Sequence, residues 1–306
     1  MKARMFLSIA FAAMALACVS SCKDDDKVLE PCAEEPFDSN GASRALFSVG
    51  DGRQVRFSRG NLQYRASTGT FRFAERQQDY IGEGNADISP TNDGWIDLFG
   101  WGTSGWNSGA VCCQPWDTVM TDSDYCPGAS WTNDLTGDYA DADWAWYNAI
   151  SNGGNSRHRW RTLSEDEWLY LIEGRENAAS LCGAATVDGT YGFVILPDNW
   201  VDHGMLPAFR GLPSDFWTDN VYTSEQWSLM ESSGAMFLPA AGNRLGTIPC
   251  GIIGSMVYGH YWSSTHDNNN AENALIMSFS STRIDMSISS RSIGCAVRPV
   301  QDCTEK

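Results

Sequence analysis

Two stretches of this chain carry the start and stop signals of a helix, whereas short runs of alternating apolar and polar residues recur from end to end. That contrast limits the fold more than any other feature. Period-two alternation sends successive side chains to opposite faces, so each run reads as a strand with one face to bury. Residues 46–49, 54–57, 61–64 and 70–73 are such runs, each bounded by Gly, Asp or Ser. Residues 184–187 and 191–196 flank Asp188-Gly189-Thr190, a hairpin-turn sequence. Residues 235–238, 261–264, 274–279, 284–288 and 295–300 complete the set of predicted strands. Ser164 and Glu167 have the spacing of a capping box, with Trp168, Leu171 and Ile172 on one face and Gly174 as the stop. Thr223 and Gln226 repeat the box, and a second helix is expected to Glu231, before Gly234. Residues 95–107 and 112–138 are too rich in Gly, Pro and Asp for either element and read as packed irregular loops. The pattern predicts one α+β domain over residues 45–301, with antiparallel sheet, two main helices and long loops.

The beginning of the chain is built differently. Residues 1–21 have a basic start (Lys2, Arg4) and an apolar stretch from Met5 to Ala17, followed by small residues. Val19-Ser20-Ser21-Cys22 fits a bacterial lipobox, which makes Cys22 the expected lipidation site. Residues 22–44 read as an acidic flexible tether, and Asp24-Asp25-Asp26 resembles the surface-export signal of Bacteroides-type lipoproteins. The expected location is therefore the outer membrane, lipid-anchored and facing outward, with acyl chains in place of a membrane-spanning helix. With 21 basic and 38 acidic residues, the formal charge of −17 repels phosphate backbones and argues against a nucleic-acid partner. Beyond Cys18 and Cys22, the cysteines are Cys32, Cys112, Cys113, Cys126, Cys182, Cys250, Cys295 and Cys303. In an exported chain their default role is disulfide formation, in pairings that spacing does not choose, and no CxxC suggests a metal or redox motif.

The second half carries a resemblance. Arg161-Thr162-Leu163-Ser164-Glu165-Asp166-Glu167-Trp168, Phe193 to Trp200, and Phe237-Leu238-Pro239-Ala240-Ala241-Gly242-Asn243-Arg244 resemble ordered blocks of one family. Tyr261-Trp262-Ser263-Ser264-Thr265, Arg291, Gly294 and Val297-Arg298-Pro299-Val300 resemble its ending. The family is the Fibrobacter-type major paralogous domain, similar to formylglycine-generating-enzyme-like domains, and the resemblance implies a C-type-lectin-like fold. Leu163-Ser164 stands where the family tends to have Leu-Pro-Thr, and Cys295 where it has a small or aromatic residue.

Fold likeness does not carry the activity. The sulfatase-activating relatives need a cysteine pair for a metal-dependent oxidation, whereas Cys295 lies within a predicted strand. The iron-dependent relatives use clustered histidines, but His158, His203, His260 and His266 have neither HxxxH nor HExxH spacing. No GxSxG elbow or phosphate loop is present. The sequence therefore reads as a non-enzyme without a cofactor. Trp131-Thr132-Asn133-Asp134 loosely resembles the lectin calcium motif, so the Asp- and Asn-rich loops leave structural calcium open.

The expected binding face lies between residues 266 and 290. His266, Asp267, Asn268, Asn269 and Asn270 form a polar loop, with Asn273 following. Period-two geometry then predicts Ile276, Ser278 and Ser280 on one outward face, continued by Asp285, Ser287 and Ser289, with Arg283 in the connection. Met277, Phe279, Ile284, Met286 and Ile288 are expected to face the core. Short polar side chains suit adaptable hydrogen bonding. The ending also resembles that of diversity-generating-retroelement variable proteins, in which Asn codons are rewritten between fixed framework residues, here Trp262, Phe279, Gly294 and Arg298. The expected function is a surface lipoprotein that binds an extracellular protein or glycan through this face. A structural or fimbria-associated surface protein is the alternative, and a formylglycine-generating enzyme the second alternative. Trp95, Trp101, Trp168, Trp200 and Trp262 are expected in the core.

Overall fold

A computed structural model describes residues 35–201, 204, 206–212, 217–253 and 256–303, with the side chains of 252, 253 and 256 excepted. The signal segment, Cys22, Cys32, His203 and most of the tether lie outside the described residues. Chain order begins with two hairpins, β1 (Phe47–Gly50) with β2 (Arg53–Phe57) and β3 (Leu62–Arg65) with β4 (Thr70–Phe73). A long irregular stretch follows, interrupted by the single turn α1 (Trp144–Tyr147). Next come α2 (Glu165–Leu169), which continues into a π-helical turn at Tyr170–Gly174, and α3 (Ala178–Leu181). The middle of the chain holds β5 (Cys182–Val187), β6 (Thr190–Ile195), β7 (Val221–Tyr222), α4 (Ser224–Ser232) and β8 (Met236–Pro239). Two small hairpins, β9 (Asn243–Leu245) with β10 (Ile248–Cys250) and β11 (Ile252–Ile253) with β12 (Met256–Val257), lead on. The last strands are β13 (Gly259–His266), β14 (Asn273–Phe279), β15 (Ile284–Ser290) and β16 (Val300–Asp302).

The result is α+β, with few helices and sheets that are antiparallel except where β5 meets β7. The predicted capping boxes form at both α2 and α4: Ser164 and Thr223 accept from the third helical amide, and Glu167 and Gln226 reach back. Asp188 and Gly189 both take positive φ, as the tight hairpin between β5 and β6 requires. Two expectations shift. Within residues 295–299 only Cys295 and Ala296 make isolated bridges, and regular pairing begins at Val300, where β16 joins β2. Residues 35–44, expected to end the tether, pack onto the domain instead: Phe37 bridges Ser43, Ala42 bridges Ser58, and Ala42 is fully buried.

The sheet β13–β14–β15 lies between two hydrophobic clusters. Tyr261, Met277 and Phe279 join one with Phe47, Phe57, Trp168 and Leu238. Trp262, Ala274 and Ile276 join the other with Phe99, Trp101, Trp144 and Trp160. A third cluster fills the space under α4, around Trp227 and Phe237. Trp101, Trp168 and Trp262 are buried as expected, but Trp95 and Trp200 are only half-buried. Trp95 is held between the guanidinium groups of Arg65 (4.4 Å) and Arg72 (3.9 Å).

Three arginines of the resembling motifs are buried framework. Arg291 lies over the Trp101 ring at 4.5 Å and donates to Asn273 O (3.0 Å), Trp131 O (2.6 Å) and Cys126 Sγ (3.3 Å). Arg298 donates to Asn61 Oδ1 (3.1 Å) and Gln77 Oε1 (2.9 Å), and burial pushes its pKa down to about 10. Arg244 bonds the carbonyls of Leu98 and Gly246. These bonds engage cations that would otherwise be costly to bury, although Arg298 Nε stays buried without a partner. The seven described cysteines are free thiols, so the expected crosslinks do not appear among them.

Candidate functional site

The expected face is only partly a surface. Strand β14 is central, and its register aligns three rows across the sheet: His260, Ser278 and Asp285; Trp262, Ile276 and Ser287; His266, Ala274 and Ser289. Ile276, predicted outward, is 3% exposed in the second cluster, because β14 is covered on both faces. Ser280 is also buried; its amide donates to Arg283 O at the turn. Ser278, Asp285, Ser287 and Ser289 are half-buried and Arg283 is exposed, forming an ion pair with Asp285. On the opposite face Ile288, predicted for the core, is 56% exposed. The cause is position, since β15 is the edge strand and its far end overhangs the first cluster.

The preceding loop divides in the same way. His266 Nδ1 lies 2.6 Å from Asp134 Oδ1, which also accepts the His266 amide at 2.9 Å, and the ring meets Trp131 edge-on. Asp267 caps the Asn269 amide at 2.8 Å and accepts from Asn273 Nδ2 at 3.4 Å. Asn270 accepts the Glu272 amide at 3.0 Å. Of the expected ligand contacts, His266, Asp267 and Asn273 are buried and shape the loop, while Asn268, Asn269 and Asn270 are exposed. The calcium-like run is committed to the same packing: Asp134 holds His266, and Asn133 donates to Pro127 O at 2.7 Å. Among the described residues no cluster of three or more metal-ligating side chains occurs.

The first row sets a histidine, a serine and an aspartate on neighbouring strands, with the serine in the middle. His260 Nδ1 is buried without a hydrogen-bond partner, burial lowers its pKa, and Asp285 pairs with Arg283. No hydrogen bond in this arrangement joins a base to a nucleophile or an acid to the base, as nucleophilic catalysis requires. The row can offer adjacent polar groups to a ligand.

Two concavities were not foreseen. One of about 610 Å³ lies beside Trp146 and is walled by a charge network. In it Arg161 forms a bidentate pair with Glu167 (2.6 and 2.9 Å) and bonds Asp302, while Arg53 reaches Glu167 at 3.1 Å. Burial opposes the charge on Arg161, but its two carboxylate partners more than offset this and hold its pKa above the ordinary value. This network braces α2 against the β1–β2–β16 sheet, and most of its donors are already engaged. The second concavity, about 590 Å³, opens where the β5–β6 turn meets the loop around Tyr80. Tyr191, exposed near the start of β6, forms one wall; it shares a strand face with the buried Phe193 and Ile195, so alternation does not mark it, and the opposite wall comes from a distant part of the chain.

Neither family models, characterised proteins nor solved structures provide a match to this chain.

Proposed function

We propose that this chain is a lipid-anchored surface protein of the bacterial outer membrane whose C-type-lectin-like domain binds an extracellular ligand through its last sheet. The observation that carries the reading is the state of β15: every one of its seven positions is at least partly exposed, although it belongs to a sheet whose central strand is buried on both faces. Ser278, Arg283, Asp285, Ser287 and Ser289, with exposed Asn268, Asn269 and Asn270 on the neighbouring loop, supply short, varied hydrogen-bonding groups on a rigid support. The sequence resemblance to retroelement-diversified receptors adds a mechanism for choosing the ligand, by exchange of those side chains while the framework stays constant. The lipobox at Cys22 and the acidic residues after it support the surface location. Among the described residues no helix is long and apolar enough to cross a membrane.

Deep sequencing of codons 261 to 300 from one expanded population tests this. Variation is expected at 268–270, 278, 283, 285, 287 and 289, with 262, 276, 279, 294 and 298 constant. A uniform tract would remove the diversified-receptor reading. A second reading, assembly with sister copies, draws on the exposed Ile288 along a strand edge that is unpaired among the described residues. Crosslinking on intact cells that traps only copies of this chain would favour it.

A further inference from the structure

We propose that the 590 Å³ cleft between the β5–β6 hairpin and the Tyr80 loop is a binding site for the neutral pyranose rings of a glycan. It shares no residue with the β13–β15 face, so it stands or falls separately. Among the described residues three aromatic side chains are strongly exposed, Tyr80 (45%), Tyr191 (43%) and Trp131 (39%), and two of these three line this one cleft. A chain that buries most of its aromatic residues and leaves two tyrosines open on one concavity leaves them where a ligand would cover them. Each ring offers a flat apolar face with a hydroxyl at its tip, the combination that matches a sugar ring's C–H face and hydroxyl rim. Neither hydroxyl is engaged elsewhere among the described residues.

The platforms are held in place before any ligand arrives. Tyr80 sits between two anchored neighbours: the Asp79 carboxylate accepts from Arg76 Nε at 3.0 Å, and the Ile81 amide donates to the buried Asp97 at 2.8 Å. Tyr191 lies in the β5–β6 ladder, accepts the Ala240 amide at 2.8 Å and stands against Trp217, with ring centroids 5.4 Å apart. Small side chains, Ala240 and Ala241, leave depth at the floor. Gly242, at φ +71°, lets the β10 rim approach so closely that a Cβ there would lie 2.4 Å from Cys250 O. Rigid aromatic walls limit the ordering cost of binding.

Charge selects the class of glycan. Among the described residues the lining contains one acidic side chain, Glu83, and no lysine or arginine, in a chain of formal charge −17. Phosphorylated, sulfated and uronic-acid ligands would meet like charge without a cation to pair them. Neutral sugars meet a carboxylate and the Thr190 hydroxyl, both able to accept from sugar hydroxyls.

Affinity electrophoresis of the full chain in detergent tests the site, in native gels containing starch, mannan, galactan or xylan, with polygalacturonate as the anionic comparison. Retardation by at least one neutral polysaccharide and none by polygalacturonate is expected. Tyr80→Ala and Tyr191→Ala should each weaken the retardation about tenfold, Tyr191→Phe should retain most of it, and Asp285→Ala should leave it unchanged. Both tyrosines are exposed, so thermal unfolding of the variants should match the parent and separate lost binding from lost folding. No retardation by any of the four neutral polymers, or retardation that survives both alanine substitutions, would overturn the proposal. Loss on Asp285→Ala alone would overturn it as well, by moving the site to the β13–β15 face.

Discussion

Replacing Ile276 by alanine separates a buried central strand from an exposed edge strand. Ile276 is 3% exposed, flanked across the register by Trp262 and Ser287, and belongs to the cluster containing Phe99, Trp101 and Trp144. The substitution removes three carbons. At about 0.8 kcal/mol for each buried carbon, the transfer term is about 2.4 kcal/mol. The cavity left among rigid indole rings adds to it, so the expected loss is about 3–4 kcal/mol, within the range for such truncations. Against a total stability of about 5–15 kcal/mol, that is a large fraction. Urea unfolding followed by tryptophan fluorescence should show the midpoint falling by about 1 M or more. Ser287→Ala, one strand away on the same row, should stay within about 0.5 kcal/mol of the parent. Equal, small effects at both positions would refute the placement of β14 between two cores, and would return Ile276 to the outward face.

Other perturbations follow from the same geometry. Burial raises the Asp97 carboxyl to about 6, so the folded chain holds this proton more tightly than the unfolded one. Its contribution to stability is therefore highest below about pH 4 and falls as pH rises to about 6, by about 3 kcal/mol in all. Asp97→Asn should flatten that part of the stability–pH curve, and identical slopes in parent and variant would contradict it. Glu167→Ala leaves Arg161, with a 23% exposed side chain, without its bidentate partner and opens the α2 capping box. A loss of about 3–5 kcal/mol in denaturant unfolding is expected, and less for Glu167→Gln, which keeps the cap acceptor. Gly259→Ala would place a Cβ 2.1 Å from the Phe279 ring, so a drop of about 1–3 kcal/mol should appear in thermal unfolding. In the native chain a thiol reagent should reach Cys113, Cys250 and Cys303 well before Cys182 and Cys295, which are buried with thiol pKa values pushed up, Cys295 to about 12. Labelling of Cys295 as fast as Cys250 would show the core to be open.

What the sequence determined by itself were the features closed within a few residues. The capping boxes at Ser164–Glu167 and Thr223–Gln226 need only neighbouring amides, and the Asp188-Gly189 turn needs only two residues that tolerate positive φ. The strand runs were legible for the same reason, since alternation is a property of adjacent positions. Which face of a strand meets solvent is not a local property. Ser278 and Ile276 lie on the same face of β14, yet one borders the surface and the other is sealed by indoles from the irregular loops. Ile288 is as apolar as Ile284, but the edge strand runs past the cluster that would cover it. The motif arginines were readable as motifs, while their role depended on carbonyls and amides brought from far along the chain, as Asn61 and Gln77 are brought to Arg298. The same holds for the glycan cleft: Tyr80 and Tyr191 belong to separate segments, and only the tertiary structure sets them on one cleft. Local chemistry fixes the elements; the burial of each face and the meeting of distant side chains are set by what packs against them.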